Sequence, residues 1–209
     1  MSISCFKVET AEALRRFYRL RFQVYCRECG YFNEHQYPEG AESDAYDDSS
    51  VHFCAGDKEG NLIAGVRLIL PDCGKFPIEH ASPDVDLERL GVKRQECAEI
   101  SRLVISREQR KRAGIVSSSQ MSPLVTDLCE QMYRECERRG IRYCLAMMAP
   151  SLHLLLKMHH FPFQQVGEGF EYFGKVYPYL IDVTKVGQDR QAKGFSDKRP
   201  VLRPTLARG

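Results

Sequence analysis

Apolar residues recur at helical spacing near the N-terminus, where Leu14, Phe17, Tyr18, Phe22 and Tyr25 fall on one stripe behind Thr10, a helix N-cap, with Glu12 in the first turn. Arg21 sits at the edge of that aromatic stripe, so its cation has to find a partner or reach water. Ser2 to Val8 alternates as a short strand. Val51 to Gly56 and Leu62 to Leu70 read as hairpin strands around the turn Asp57 to Asn61. The second of these is almost wholly apolar, which marks a central strand, and Arg67 in its middle is a second cation that needs a partner. The connection Pro71 to Gln95 carries a short helix at Asp84 to Leu90. Cys97 to Ser106 then alternates as a strand, and from Met121 to Arg139 the spacing becomes helical, with Leu124, Leu128, Met132 and Cys136 on one stripe and Gly140 as the stop. Ile141 to Met148 is another buried strand, Pro150-Ser151 opens a further helix, and Phe163 to Val183 holds one or two strands punctuated by Gly167, Gly169 and Gly174.

This order predicts an α/β (α+β) architecture, a mixed central sheet flanked by helices, with a mostly antiparallel start and one parallel crossover. The expected division is a single domain over residues 1–183 followed by a basic, extended tail over residues 184–209. That tail holds seven Lys or Arg against two Asp, a net charge of +5.

The candidate chemistry gathers around residues 97–115. Strand alternation puts Glu99, Ser101 and Leu103 on one face and Ile100, Arg102 and Val104 on the other, so Arg102 would reach an acceptor beside Glu99 only if the strand is bulged there, pairing with the acidic loop being the alternative. The turn that follows, with Gly114 ahead of a helix, has the layout of an anion cradle built from unpaired backbone N–H groups. An acid on a central strand beside such a cradle fits a group carried on a phosphorylated handle and transferred to an amine; the plainer alternative is a pair of structural charges in an ordinary α/β protein. Upstream, Gly30 to Ser50 is rich in acids. Glu42, Asp44 and Asp47 would satisfy Arg21 and Arg67 in an ion-pair network, turning a solvated acidic loop into an ordered wall.

Composition narrows the classes. The 209 residues are 43% hydrophobic and 28% charged with a formal net charge of +2, which fits one globular core and gives no case for a nucleic-acid binder. Nine scattered cysteines read as reduced thiols, and Cys26-Arg27-Glu28-Cys29 lacks the second pair that a zinc site needs, so no metal is expected. His153, His159 and His160 read as helix-end residues rather than ligands. No apolar run reaches membrane-spanning length and the first residues lack a signal-peptide layout, so a cytoplasmic protein is expected.

Four short motifs follow one another in order: Leu20-Arg21 with Val24-Tyr25, Glu42-Ser43-Asp44 with Asp47, Gly65-Val66-Arg67-Leu68, and Glu99-Ile100-Ser101-Arg102-Leu103. On these residues the chain resembles the GNAT-type N-acyltransferases, and within them the acyl-homoserine-lactone synthases and the N-acyl amino acid synthases, including acyltransferases that accompany PEP-CTERM/exosortase systems. The resemblance spans about Phe6 to Asp182. It departs from the homoserine-lactone synthases in having no Trp, with Tyr31 nearest the expected place, and in Tyr25 where they carry Phe. The full glycine-rich pyrophosphate loop of acetyl-CoA enzymes is also missing, only Gly114 being kept.

The resemblance implies an acyltransferase that moves a fatty acyl group from an acyl-phosphopantetheine thioester, on acyl carrier protein or CoA, to the amine of an amino acid or similar small acceptor, with no permanently bound cofactor. Autoinducer synthesis and acetyl-CoA-dependent N-acetylation are the rival activities. Catalysis would fall to Glu99 as base, with Ser101 and Arg102. Arg21, Tyr25, Tyr31, Glu42, Asp44, Asp47 and Arg67 would wall the acceptor. Backbone at Leu103, Val104 and Ile105 would hold the oxyanion, and Leu145, Met147 and Met148 would line the acyl chain or simply belong to the core. Arg107, Arg110, Lys111 and Arg112, with Gly114, would grip the phosphopantetheine phosphate and an acidic carrier protein, or else form a solvated basic turn. The basic tail would make at most weak contact with a membrane surface.

Overall fold

The structure, a computed structural model, describes residues 3–186. Its centre is one sheet in the order β1-β2-β3-β4-β5-β8-β6, with β7 pairing to β8. The strands are β1 (Ser4–Lys7), β2 (Ser50–Gly56), β3 (Leu62–Ile69), β4 (Cys97–Ile105), β5 (Tyr143–Met148), β6 (Gln164–Gln165), β7 (Phe170–Glu171) and β8 (Lys175–Asp182). All neighbours run antiparallel except β4 and β5, which are parallel, as a strand-helix-strand crossover requires. The expected mixed sheet with one crossover is therefore present.

The helices are α1 (Ala11–Phe22), α2 (Pro77–Ala81), α3 (Arg107–Arg112), α4 (Ser118–Arg139) and α5 (Pro150–Met158). Thr10 caps α1 as expected, its side chain accepting from the Ala13 N–H. Helix α4 begins three residues before the apolar spacing does, because Ser117 and Gln120 form a capping box, and it ends at Gly140 in the left-handed conformation. Three expectations are corrected. The Asp84 to Leu90 stretch forms turns rather than a helix, since the Asp86 carboxylate takes the N–H groups of Glu88 and Arg89; the helix of that connection is α2 instead. The basic turn after β4 is helical over its first six residues. The packed body also runs past residue 183: residues 183–186 make a helical turn whose Val186 is buried in the core. The remainder of the basic tail, residues 187–209, lies outside the described residues.

Both faces of the sheet are covered. One carries the main core, where α4 and α5 pack on residues such as Val66, Leu68, Ala146 and Ile181. The other is covered in two parts, by α1 over Cys54 and Val104, and by the connection around Phe76 and Ile78 over Ile69, Cys97 and Leu145. Gly65 matters here: a Cβ at that position would collide with the Phe17 ring, so glycine lets α1 close on β3. That approach carries Arg21 to the face on which Arg67 lies.

Candidate active site

Past Phe22 the first helix widens into a π-helical turn, Gln23–Glu28, closed by the Cys29 N–H on the Val24 carbonyl at 2.9 Å. The turn leaves the Tyr25 hydroxyl 3.5 Å from the Leu103 carbonyl of β4. Burial pushes the Tyr25 phenol up to about 12. The Cys26 and Cys29 thiols of this turn are free, and no His/Cys/Asp/Glu cluster fit for a metal occurs among the described residues.

The acidic segment is ordered. The Glu42 N–H donates to the Tyr18 carbonyl of α1 at 3.0 Å, and Asp47 folds the loop back by accepting the Asp44 N–H at 2.8 Å. Three carboxylates thereby face three guanidinium groups. Arg21 donates Nε to Glu42 at 2.5 Å and Nη1 to Asp47 at 2.6 Å. Arg67 donates Nη1 to Asp44 at 2.5 Å and to Asp47 at 3.0 Å, and Nε to the Ser101 hydroxyl at 3.0 Å. Arg102 donates Nη2 to Asp44 at 2.8 Å and to Glu42 at 3.2 Å. The formal charges of the six cancel, which is the condition for burying them; Arg21, Arg67 and Glu42 are 0% exposed. Burial alone would raise Asp47, but Arg21 and Arg67 outweigh it and hold its carboxyl below the usual range. Two donors in this cage, Arg21 Nη2 and Arg67 Nη2, are buried and without a partner.

Strand alternation placed Arg102 on the far face from Glu99. A β-bulge reverses that. Register between β3 and β4 shifts between Gly65 and Arg67, and Arg102 takes φ of 52°, in the left-handed region, so its side chain joins those of Arg67 and Ser101. Its guanidinium also lies 5.6 Å from the Tyr25 ring and 5.4 Å from the Phe32 ring.

Glu99 occupies the next position on that face. It is fully buried: Oε2 accepts the Ile78 N–H at 2.9 Å, while Oε1 has no partner. Burial pushes its carboxyl up to about 8 against the Ile78 hydrogen bond and the positive field of Arg67, which pull the other way. Beside it the sheet opens. Pairing of β4 with β5 ends at Ile100–Ala146, although β4 runs on to Ile105 and β5 to Met148, so the two strands part and leave a wedge whose β4 edge carries Ser101 to Ile105.

The donor-side expectations fare unevenly. The α3–α4 turn is no open cradle. The Gly114 N–H donates to Lys111 O, the Ile115 N–H to Arg110 O, and the Val116 and Ser117 N–H groups both to the Gln120 side chain at 3.0 Å. The α3 start is likewise filled, by the Glu28 carboxylate accepting from Ser106 Oγ and the Arg107 N–H at 2.7 Å each. Arg110 leans on the Met121 sulfur and Arg112 pairs with Glu108 at 2.6 Å; Arg107 and Lys111 are exposed. Leu145 and Met147 pack on the Glu99 side, whereas Met148 faces α4. An apolar cavity of about 30 Å³ lies on that α4 side, lined by Ile100, Cys129, Met132, Cys144, Phe161 and Ile181 among others. The alternation of β5 already separated Cys144 and Met148 from Leu145, so the split was legible. Phe32 and Phe173, which stand over Arg102 and Tyr31, were not singled out from sequence.

Residues 20–119 match the acetyltransferase (GNAT) domain family. An acyl-homoserine-lactone synthase of Aliivibrio fischeri is 20% identical over 127 residues, a match spanning 61% of this chain and 63% of that relative. Among solved structures, MesI, a CoA-dependent acyl-homoserine lactone synthase, superposes with a TM-score of 0.66 at 20% identity, covering 92% of this chain and 96% of its own. FeeM, an N-acyl amino acid synthase from uncultured soil microbes, gives 0.62 at 14% identity over 93% and 97%. With its mixed sheet parting between two parallel central strands, the protein has a GNAT-like fold, shared with these solved structures, and residues 20–119 are similar to the acetyltransferase (GNAT) domain family.

Proposed function

We propose that the protein is an N-acyltransferase that moves a fatty acyl group from a phosphopantetheine thioester to the amine of a small, carboxylate-bearing acceptor such as an amino acid. The observation that carries the reading is Glu99: a buried carboxyl with one unpartnered oxygen, at the point where β4 and β5 part, beside a charge-balanced arginine cage. An amine attacks a thioester only when unprotonated, so the site needs a base shielded from water. In this reading the nitrogen attacks the thioester carbon, the C–S bond breaks, and the proton lost by nitrogen passes to Glu99 and on to the departing thiolate. The backbone of β4 past Ile100 faces the developing oxyanion. The unpartnered Arg21 and Arg67 donors sit on the acceptor side, and the apolar cavity under Ile100 takes the end of the acyl chain.

A carrier-protein donor is favoured over free CoA. The backbone N–H groups that would cradle a pyrophosphate are already bonded to Glu28 and Gln120, while Arg107 and Lys111 stay open to an acidic partner. The names of the Aliivibrio fischeri relative and of MesI support a second reading, in which the product is an acyl-homoserine lactone. Mass spectrometry of lipid extracts from cells overexpressing the wild type or Glu99→Gln separates the two. The first reading expects a new N-acyl amino acid that vanishes with the variant; the second expects an acyl lactone; no acylated amine at all would defeat both.

A further inference from the structure

Of the six cage residues, Arg21, Arg67, Glu42 and Asp47 are closed to solvent or nearly so; Arg102 and Asp44 alone reach the surface appreciably, with side chains 17% and 27% exposed. The cage thus meets solvent at Asp44 and at Arg102, and on the Arg102 side it is roofed. Tyr25 and Phe32 stand over its guanidinium, and Phe173 roofs them in turn, stacked on Tyr31 at 4.7 Å and 16° and edge-on to Phe32 at 5.5 Å. Tyr31 also stacks on Tyr25 at 6.3 Å. The outer rings are exposed, Phe173 by 48% and Tyr31 by 39%.

Phe173 comes from a distant part of the chain, the tip of the β7–β8 hairpin. That hairpin is held to itself by two register pairs, Phe170 with Val176 and Glu171 with Lys175, and by the Tyr172 N–H on Gly174 O. Phe173 has φ of 51° and Gly174 φ of 112°. A bulky aromatic in the left-handed region is strained, and strain of this kind persists only where surrounding contacts hold it. The contacts that hold it here are the ring contacts across the gap to residues 31 and 32, together with an edge contact to Tyr172 of its own hairpin at 5.0 Å. The tip is therefore a weakly anchored, strained segment resting on the entrance to a buried polar site, the arrangement from which lids are made.

We propose that Phe173 is a gate: its stack on Tyr31 covers the Arg102 side of the arginine cage, and the hairpin tip swings off Tyr31 and Phe32 to admit the acceptor. Phe173 acts as a positioning residue, through Tyr31 and Phe32 on Arg102. This rests on the acyltransferase reading only in what passes the gate; closure over Arg102 stands on geometry alone.

Two measurements test it on the full chain, using wild type, Phe173→Ala and Phe173→Tyr, with the thermal midpoint of each as a folding control. In the first, phenylglyoxal labelling of Arg102 is followed by peptide mass spectrometry. Opening the roof raises its labelling rate about fivefold or more in Phe173→Ala, and Phe173→Tyr restores the wild-type rate. Equal rates in all three overturn the gate, whatever the enzyme does. In the second, a palmitoyl-loaded acyl carrier protein is incubated with and without a mixture of amino acids. Phe173→Ala raises thioester hydrolysis in the absence of acceptor and raises the acceptor KM more than it changes kcat. A wild type that transfers acyl groups with an Ala variant of unchanged hydrolysis and KM defeats the gate and leaves the acyltransferase reading standing. A wild type without transfer defeats that reading, and the Arg102 labelling still decides the gate.

Discussion

Glu99 accepts the backbone N–H of Ile78 through Oε2 at 2.9 Å and leaves Oε1 bare in a fully buried site. One hydrogen bond fixes the carboxyl's orientation without satisfying it. The remaining oxygen is thus free for a proton, and the cost of ionising it in the interior sets its protonation.

Since burial raises the Glu99 pKa to about 8, the base is ionised only above that pH, and kcat/KM falls about tenfold per pH unit below it. Glu99→Gln abolishes turnover, by about 100-fold or more, with the fold intact. Stability follows the opposite sign. The unfolded chain loses this proton near the ordinary carboxylate pKa while the folded chain keeps it to about 8, so stability declines as pH rises from about 4.5 to about 8. Thermal melts across that window should show Glu99→Gln losing less stability than wild type; parallel curves would contradict the raised pKa.

Glu42 is the shared partner of Arg21 and Arg102, and Arg21 is fully buried. Glu42→Ala leaves that guanidinium with Asp47 as its one carboxylate and unbalances the buried charges, with an expected loss of about 3–5 kcal/mol, measured by urea denaturation. A change below about 1 kcal/mol would mean that water replaces the carboxylate, as at an exposed pair.

Arg102 carries charge on a backbone that prefers glycine. Arg102→Gly relieves the positive φ and Arg102→Ala does not, so the Gly variant should be more stable than the Ala variant by about 1 kcal/mol, although neither supports turnover. Paired melts and activity assays check both halves.

Arg107 and Lys111 are exposed on α3. Reversing both to Glu should weaken acyl-carrier-protein binding by about tenfold or more at low salt and much less at high salt, read by calorimetry. Affinity that ignores both the charges and the salt would move the docking face elsewhere.

If the cavity of about 30 Å³ beside Ile100 receives the terminal methyl of the acyl chain, filling it shortens the chain that fits. Cys129→Phe should shift preference to shorter acyl donors, measured by competition between chain lengths; an unchanged profile would place the chain elsewhere.

Much of this protein is local and therefore legible in its sequence. Period-2 and period-3.6 patterning located the hairpin β2–β3, the strands β4 and β5 and the long helix α4, and Thr10 and Gly140 marked helix ends by the chemistry of unpaired backbone groups. Two buried cations on apolar elements also required carboxylates, and the acidic loop was the ready source; the Arg21, Arg67, Glu42, Asp44 and Asp47 network follows from that requirement alone. What alternation could not supply was the direction of Arg102. A bulge inserts one residue into the count, and only pairing against β3 shows it. Nor could the sequence show which N–H groups stay free. The cradle after β4 is filled by Glu28 and Gln120, through side chains whose reach depends on the packing of α1 and α4. The aromatic roof is the clearest case of what tertiary structure alone decides. Tyr31 and Phe173 are more than 140 residues apart, and no periodicity links two loop residues that meet only because the sheet brings β8 alongside β5.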